Sequence, residues 1–243
     1  GVLELAGIPY VGCGVAASAN TMDKSLTKKV VEGTGVRQAR YYLALACDFA
    51  CNPEGVVRTA AEQLGSFPVF VKPCSQGSSV GVAKATNMTE LAEGLTEAFK
   101  MDSKVLVEEF IDGHEVECAV LGNERPQTST VGEIAPTQEF YTFDAKYKDE
   151  SSRLYIPAHI TPEQLETVRQ DALRVYTALG CRGLSRVDFF VTHDGGEVVF
   201  NELNAIPGFT SISMYPKLFD YEGIHYAELL DRLIALALEE HHG

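Results

Sequence analysis

Two strand-forming runs near the end of the chain, "GLSRVDFFV" from Gly183 and "EVVFNELNAIPGFTS" from Glu197, are separated by a short turn containing "HDGG". Such a pair reads as a β-hairpin. Side chains alternate across a strand, so Arg186 and Asp188 share one face, and Glu202 and Asn204 share one face of the partner. Folding about the turn brings Asp188 within about a residue of Glu202. Two carboxylates and an amide oxygen at short range repel and desolvate each other unless a cation lies between them, and such oxygen donors suit Mg²⁺ or Mn²⁺. The same residues also suit a solvated strand face carrying an Arg–Asp pair.

Upstream, "FPVFVKPCSQGSSVGVAKA" runs from a strand through Lys72 into a Gly/Ser loop and then into a second strand. The glycines let the main chain approach a phosphate closely, and the serine hydroxyls and backbone N–H groups donate to it. The Gly-Lys-Ser/Thr of a P-loop is absent, so the loop reads either as a glycine-rich hairpin over phosphates or as a plain tight turn. A helix is expected over 20–32, capped by Asn20 or Asp23 and stopped at Gly33. Lys24 lies in its first turn, where a cation opposes the helix dipole unless an anion is shared there; a solvated lysine is the alternative. In "VLVEEFIDGHEVE", Glu108 and Glu115 stand at the end of one strand and the start of the next. There they would accept from ribose hydroxyls while the backbone between them reads a base edge, or form ordinary surface. "AKY" at 145–147 lies in a long polar and aromatic stretch, 136–153, suited to a lid over a ligand.

Strands are further expected over 40–46, 104–110, 115–121 and 129–134, and helices over 54–64, 90–101, 162–179 and 225–239. The class is α+β, without an internal repeat. Lys plus Arg number 20 against 34 Asp plus Glu, a net charge of −14. That balance excludes an even basic coat for nucleic acid or anionic lipid, so a phosphate ligand has to be met by a local basic pocket. No apolar run reaches the roughly 20 residues of a membrane helix and no signal peptide is recognisable, so a soluble, cytoplasmic protein is expected. The six cysteines are too dispersed for a disulfide framework and read as reduced, packed thiols; Cys47 and Cys51 come closest to a ligand pair but lack partners. His241 and His242 read as a frayed end. The chain starts at Gly1 and enters an apolar segment directly, which leads to the expectation that it is cut from something longer.

Taken in order, "LELAGIPYVGCG", "MDK", "FVKP" with "GSSVG", "AKY", "LGCRGLSRVDFF" and "NELNAIPGFTSISMYP" resemble the motifs of the D-alanyl-D-alanine ligases of the ATP-grasp superfamily, over essentially the whole chain. The resemblance implies an α+β ATP-grasp fold in which two subdomains hold ATP between them. On this reading 1–12 is a remnant of a preceding domain, 13–107 the central subdomain, and 108–243 the C-terminal subdomain with the metal site and the lid. It implies that Lys24 and Lys72 contact ATP phosphates, that Lys146 reaches the γ-phosphate, and that Glu108 with the following backbone holds adenine while Glu115 holds ribose. Asp188, Glu202 and Asn204 would hold two Mg²⁺ or Mn²⁺ ions. Arg186 and the N–H of Gly208 would steady an oxyanion, Ser78 and Tyr147 would orient substrate, and Ser213 with the backbone at Met214 would hold the second substrate's carboxylate.

The implied reaction joins two D-alanines through an acyl phosphate at the expense of ATP, for peptidoglycan synthesis, in a protein that is a homodimer when full length. Cys74 stands where the family often has serine, and Ile212 where some members have histidine. "AKY" favours D-alanine over D-lactate as second substrate and leaves D-serine open. The family's N-terminal domain, which supplies an acidic residue and a histidine to the site, has no counterpart in this sequence. A chain that binds nucleotide without ligating is therefore a further reading.

Overall fold

A computed structural model describes residues 1–135 and 153–240. The chain enters through α1 (Val2–Ala6) and then runs through α2 (Val15–Met22) and α3 (Lys24–Glu32). The single helix expected over 20–32 is thus two, broken at Asp23, whose carboxylate accepts from the backbone N–H groups of Ser25 and Leu26 and caps α3. The same carboxylate pairs with Lys104, far along the chain, which holds the break in place.

The next unit contains β1 (Tyr41–Leu45), α4 (Ala46–Cys51), α5 (Pro53–Leu64), β2 (Val69–Pro73), β3 (Ala83–Ala85), α6 (Met88–Ala98) and β4 (Lys104–Glu109). Its antiparallel sheet has the order β1-β4-β2-β3. Alternation sends Val69, Val71, Val105 and Val107 into a core with Val56, Val57, Ala60 and Leu64 of α5 and Leu91 and Leu95 of α6. The opposite face carries Phe70, Lys72, Leu106 and Glu108. The expected subdomain boundary at 108 falls inside β4, where Glu108 is in register with both Tyr41 and Phe70.

The second sheet is made of β5 (Gly113–Leu121), β6 (Gln127–Ala135), β7 (Arg153–Tyr155), β8 (Leu184–Thr192) and β9 (Val198–Asn204), in the order β7-β6-β5-β8-β9. On one face Val116, Cys118, Val187 and Phe189 pack with Val168, Ala172 and Val175 of α7 (Pro162–Ala178). Cys13, Ala17, Val31 and Val36 join this core, so the segment of α2 and α3 packs with the second sheet although it precedes the first in sequence. Part of the other face is covered by α8 (Met214–Tyr221) and α9 (Tyr226–Glu240). Gly132 allows this: a methyl there would stand 2.7 Å from Met214 Sδ and 2.9 Å from Leu218 Cδ2.

Cys13, Cys74, Cys118 and Cys181 are buried, and burial pushes the Cys74 and Cys118 thiols up to about 12, which makes them inert at neutral pH. Cys47 and Cys51 differ from the packed thiols expected; both are exposed, on α4. Among the described residues no helix is long and apolar enough to cross a membrane. His241, His242 and all of the expected lid except Arg153 lie outside the described residues.

Where β5 begins, the backbones of β5 and β8 approach so closely that a methyl on Gly113 would lie 2.4 Å from the Val191 carbonyl oxygen. Fixed backbone cannot yield as a side-chain end can. Gly113→Ala is expected to lower the free energy of unfolding by about 1–3 kcal/mol in urea titrations, whereas Gly33→Ala, whose methyl would meet nothing closer than 3.5 Å, stays within about 0.5 kcal/mol of the parent.

Candidate functional site

Each sheet turns one face away from its main helical layer, and the two faces flank a cleft. Two adjoining cavities of about 240 and 540 Å³ occupy it, and Lys24, Lys72, Gln76, Ser78, Glu108 and Glu202 line both. The larger is of a size that takes small-molecule ligands. Glu115 lines that larger cavity from β5.

Lys24 is the first residue of α3, and its backbone N–H donates to Cys74 O at 3.0 Å. Its Nζ donates to Gln76 O at 2.7 Å and stands 3.8 Å from Glu202. These acceptors offset the unfavourable placing of a cation at a helix N-terminus. They also bind α3 to the Gly/Ser loop, whose start is fixed by Asp102: its Oδ2 accepts from the Ser75 N–H at 2.7 Å and the Ser75 hydroxyl at 2.6 Å. Within the loop, Ser78 and Ser79 have φ of 51° and 60°. Non-glycine residues pay for the left-handed region with steric strain, and two in succession indicate a backbone held in shape by its surroundings. Backbone bent in this manner directs successive N–H groups into an anion-binding concavity.

Lys72 on β2 and Lys28 on α3 converge on Glu108 of β4. Lys72 Nζ is 2.6 Å from Glu108 Oε2 and Lys28 Nζ is 2.7 Å from Oε1. Burial alone would raise the Glu108 carboxyl, but the two ammonium groups hold it down at about 2. Burial likewise opposes the charge on Lys72, and Glu108 overrides it, raising that lysine's affinity for its proton.

Across the cleft, the hairpin has the register expected of it: Asp188 faces Glu202 and Arg186 faces Asn204. Phe189 pairs with Phe200, so Asn201 is an extra residue, a β-bulge that brings both Asn201 and Glu202 to the cavity walls. Arg186 binds Asp188 through two hydrogen bonds of 2.8 Å and stands 3.1 Å from Glu117. Although burial disfavours its charge, Asp188 and Glu117 keep the guanidinium protonated. Asn204 Nδ2 donates to Asp188 Oδ2 at 2.9 Å, which turns the amide so that its oxygen is the atom left to accept or ligate.

Gly208 and Ser213 come together on the segment after β9: a methyl on Gly208 would stand 2.8 Å from Ser213 Oγ. Ser213 occupies the N-cap position of α8 without a side-chain hydrogen bond to the helix; its Oγ instead accepts from the Thr210 N–H at 3.1 Å, and Met214 is the first helical residue. The opening N–H groups of a helix have no acceptor within it, although Pro216 contributes none. Gly208, Ser213 and Met214 do not line either cavity. Lys146 and Tyr147 lie outside the described residues.

Three participants were not singled out from sequence. Lys28 and Lys24 are four residues apart on one helix, a spacing that puts them on one face. Glu117 follows Glu115 by two in the same strand, and alternation gives both the same side. Asn201 had no signal, since a bulge is set by pairing rather than by composition.

The Glu108 pairing has a signed pH dependence. The folded carboxyl is depressed from 4.5 to about 2, so its stabilisation is fully present above pH 4.5 and is lost as pH falls toward 2. Glu108→Gln, which leaves the buried Lys28 and the partly buried Lys72 without their carboxylate, is expected to cost about 3–5 kcal/mol at neutral pH. In urea titrations the gap from the parent should narrow across that acid window; a constant gap would contradict the pairing.

Residues 30–235 match the family described as D-ala D-ala ligase C-terminus. The chain is 52% identical over 241 residues to the D-alanine--D-alanine ligase of Acetivibrio thermocellus, covering 99% of this chain and 64% of that protein. It is 48% identical over 240 residues to the D-alanine--D-alanine ligase of Caldicellulosiruptor bescii, covering 99% and 66%. The chain thus spans somewhat less than two thirds of the length of these curated relatives. Among solved structures, the D-alanine-D-alanine ligase from Coxiella burnetii superposes with a TM-score of 0.85 at 36% identity, covering 99% of this chain and 64% of that one. The VanG D-Ala:D-Ser ligase from Enterococcus faecalis superposes with a TM-score of 0.86 at 40% identity, covering 97% and 67%. The two antiparallel sheets around a cleft are the ATP-grasp fold, and the chain belongs to the D-Ala-D-Ala ligase C-terminal family.

Proposed function

We propose that the cleft binds Mg²⁺ and ATP and that this chain carries the phosphoryl-transfer centre of a cytoplasmic enzyme joining two D-alanines. One observation carries the reading. Lys24, Lys72 and the strained Ser78–Ser79 loop stand on one side of a single cleft, and Glu202 and Asn204, backed by Asp188, stand on the other. Such an arrangement suits a polyphosphate between cations and a divalent metal.

Among the described residues no three His, Cys, Asp or Glu side chains are grouped to hold a metal unaided. The donor set nevertheless fits Mg²⁺ or Mn²⁺, which bind through one or two carboxylates and take their remaining ligands from water and substrate phosphates. Asp188, Glu202 and the Asn204 oxygen would hold the ions. When bound, they supply charge compensation for the phosphates and the transferring group.

The chain's own residues account for the rest. Lys24 and Lys72 offset the repulsion between a carboxylate nucleophile and the triphosphate. The loop N–H groups hold the phosphates in line, so that a D-alanine carboxylate oxygen bonds to the γ-phosphorus as ADP leaves. The amine of the second D-alanine then attacks the acyl carbon and phosphate departs. Arg186 and the Gly208 N–H steady the oxyanion formed in that attack, a contribution of about 3–4 kcal/mol for a typical donor. The α8 N-terminus at Ser213 and Met214 receives the carboxylate of the second substrate, while Ser78 and Tyr147 orient substrate and Lys146 adds charge at the γ-phosphate. Glu115 takes the ribose hydroxyls, and the strand end after Glu108 takes adenine. The similarity to VanG supports a second reading, with D-serine in place of the second D-alanine.

Calorimetry on the purified chain should show Mg²⁺-dependent ATP binding that Lys72→Met weakens by about 10-fold or more. Fused behind the N-terminal third of the Acetivibrio thermocellus relative, the chain should convert ATP and D-alanine to D-alanyl-D-alanine in a chiral mass-spectrometric assay. Mixed D-alanyl-D-serine as main product would favour the second reading, and ATP binding without dipeptide would reject both substrates.

A further inference from the structure

We infer that Lys28 is a positioning residue for the phosphate side of the cleft: it supplies the second positive charge on Glu108, leaving Lys72 with charge to spare for an anionic ligand. The inference rests on the nucleotide reading above and adds a residue to it.

Lys28 lies one turn beyond Lys24 on α3, and its side chain is 3% exposed. Its Nζ contacts Glu108 Oε1 at 2.7 Å, lies 3.5 Å from Ala39 O, and stands 5.1 Å from the Tyr41 ring centre. Lys72 takes the other carboxylate oxygen, Oε2, at 2.6 Å, with Asn201 Oδ1 at 3.4 Å. Without Lys28, Glu108 and Lys72 would form a neutral pair at the cleft wall, and a neutral pair offers a polyphosphate only a dipole. The second lysine makes the buried group net positive. Glu202, also close enough to act on Lys72, increases the need for that extra charge. Lys28 borders the smaller cavity, but its ammonium is directed at Glu108, Ala39 and Tyr41, so its charge acts on a ligand through Glu108 and Lys72. Its backbone contributes as well: Lys28 O accepts from Gln38 Nε2 at 3.0 Å, and Gln38 forms a bridge to Phe200 of β9, so α3 is tied to both walls of the cleft.

A merely structural lysine and a charge-supplying one differ in how their loss depends on the ligand. Affinities for ATP, ADP and adenosine, each with Mg²⁺, are to be measured by calorimetry for the chain and for Lys28→Met and Lys28→Arg. The expected result for Lys28→Met is a loss of about tenfold or more for ATP, a smaller loss for ADP, and less than about twofold for adenosine, as one removed charge requires. Lys28→Arg should keep most of the ATP affinity. Equal losses for all three ligands, or an unchanged ATP affinity in Lys28→Met, would overturn the inference. A parent chain that binds none of the three removes the nucleotide reading and this inference with it, whereas a parent that binds ATP while the variants show no phosphate dependence leaves the reading intact. Should Lys28→Met fail to fold, Lys28→Gln takes its place in the same ligand series, and equal losses for all three ligands would again overturn the inference.

Discussion

A buried carboxylate between two lysines sets the terms for the rest of the cleft. Glu108 sits on β4, which pairs with both β1 and β2, so its position is fixed by the middle of the first sheet. Lys72 is brought by β2 and Lys28 by α3, a helix whose Val31 packs into the core of the second sheet. One set of ionic contacts therefore joins the first sheet to a helix anchored on the second. Desolvating three charges is costly, and a well-packed apolar replacement would often be as stable. The arrangement makes sense where a positive floor between two walls is needed.

Around that floor, local strain is stabilised by local polar contacts. The left-handed Ser78 and Ser79 are flanked by anchors: Asp102 on Ser75, and Lys24 on Gln76. Asp23 caps α3 and pairs with Lys104, the neighbour of the residues that hold the loop. Arg186 in the opposite wall is fixed by Asp188 and Glu117 on two adjacent strands. In each case a polar or charged side chain is held by a partner of fixed position, and this keeps the groups in place without a ligand.

What could be read from the sequence follows from how local the cause is. The pairing of Asp188 with Glu202 needs only strand alternation and a turn, and both are written in adjacent residues. Helix ends at Asp23, Asn87 and Thr161 carry their own capping side chains. Asp23 was one of the two caps expected for α3; what the sequence did not show is that residues before it form a separate helix, α2, or that Lys104, a long way off, pairs with that cap. Nor was α8 legible, since its Pro216 reads as a breaker although proline is tolerated in a first helical turn. The boundary at 108 came with the family resemblance; the strand there continues to Glu109, and the early segment with Ala17 and Val31 packs in the core of the second sheet. The bulge at Asn201 and the burial of Lys28 arise from tertiary packing, which no window of sequence contains.

The central claim is that one ligand spans both walls of the cleft. Hydrogen–deuterium exchange of the chain with and without ATP and Mg²⁺ tests it most directly. The account predicts that adding the nucleotide and metal together slows exchange both in the loop at 74–81 and in β9 at 198–204, with less protection of β9 when the metal is withheld. Protection confined to one wall, or found only outside the cleft, would contradict it.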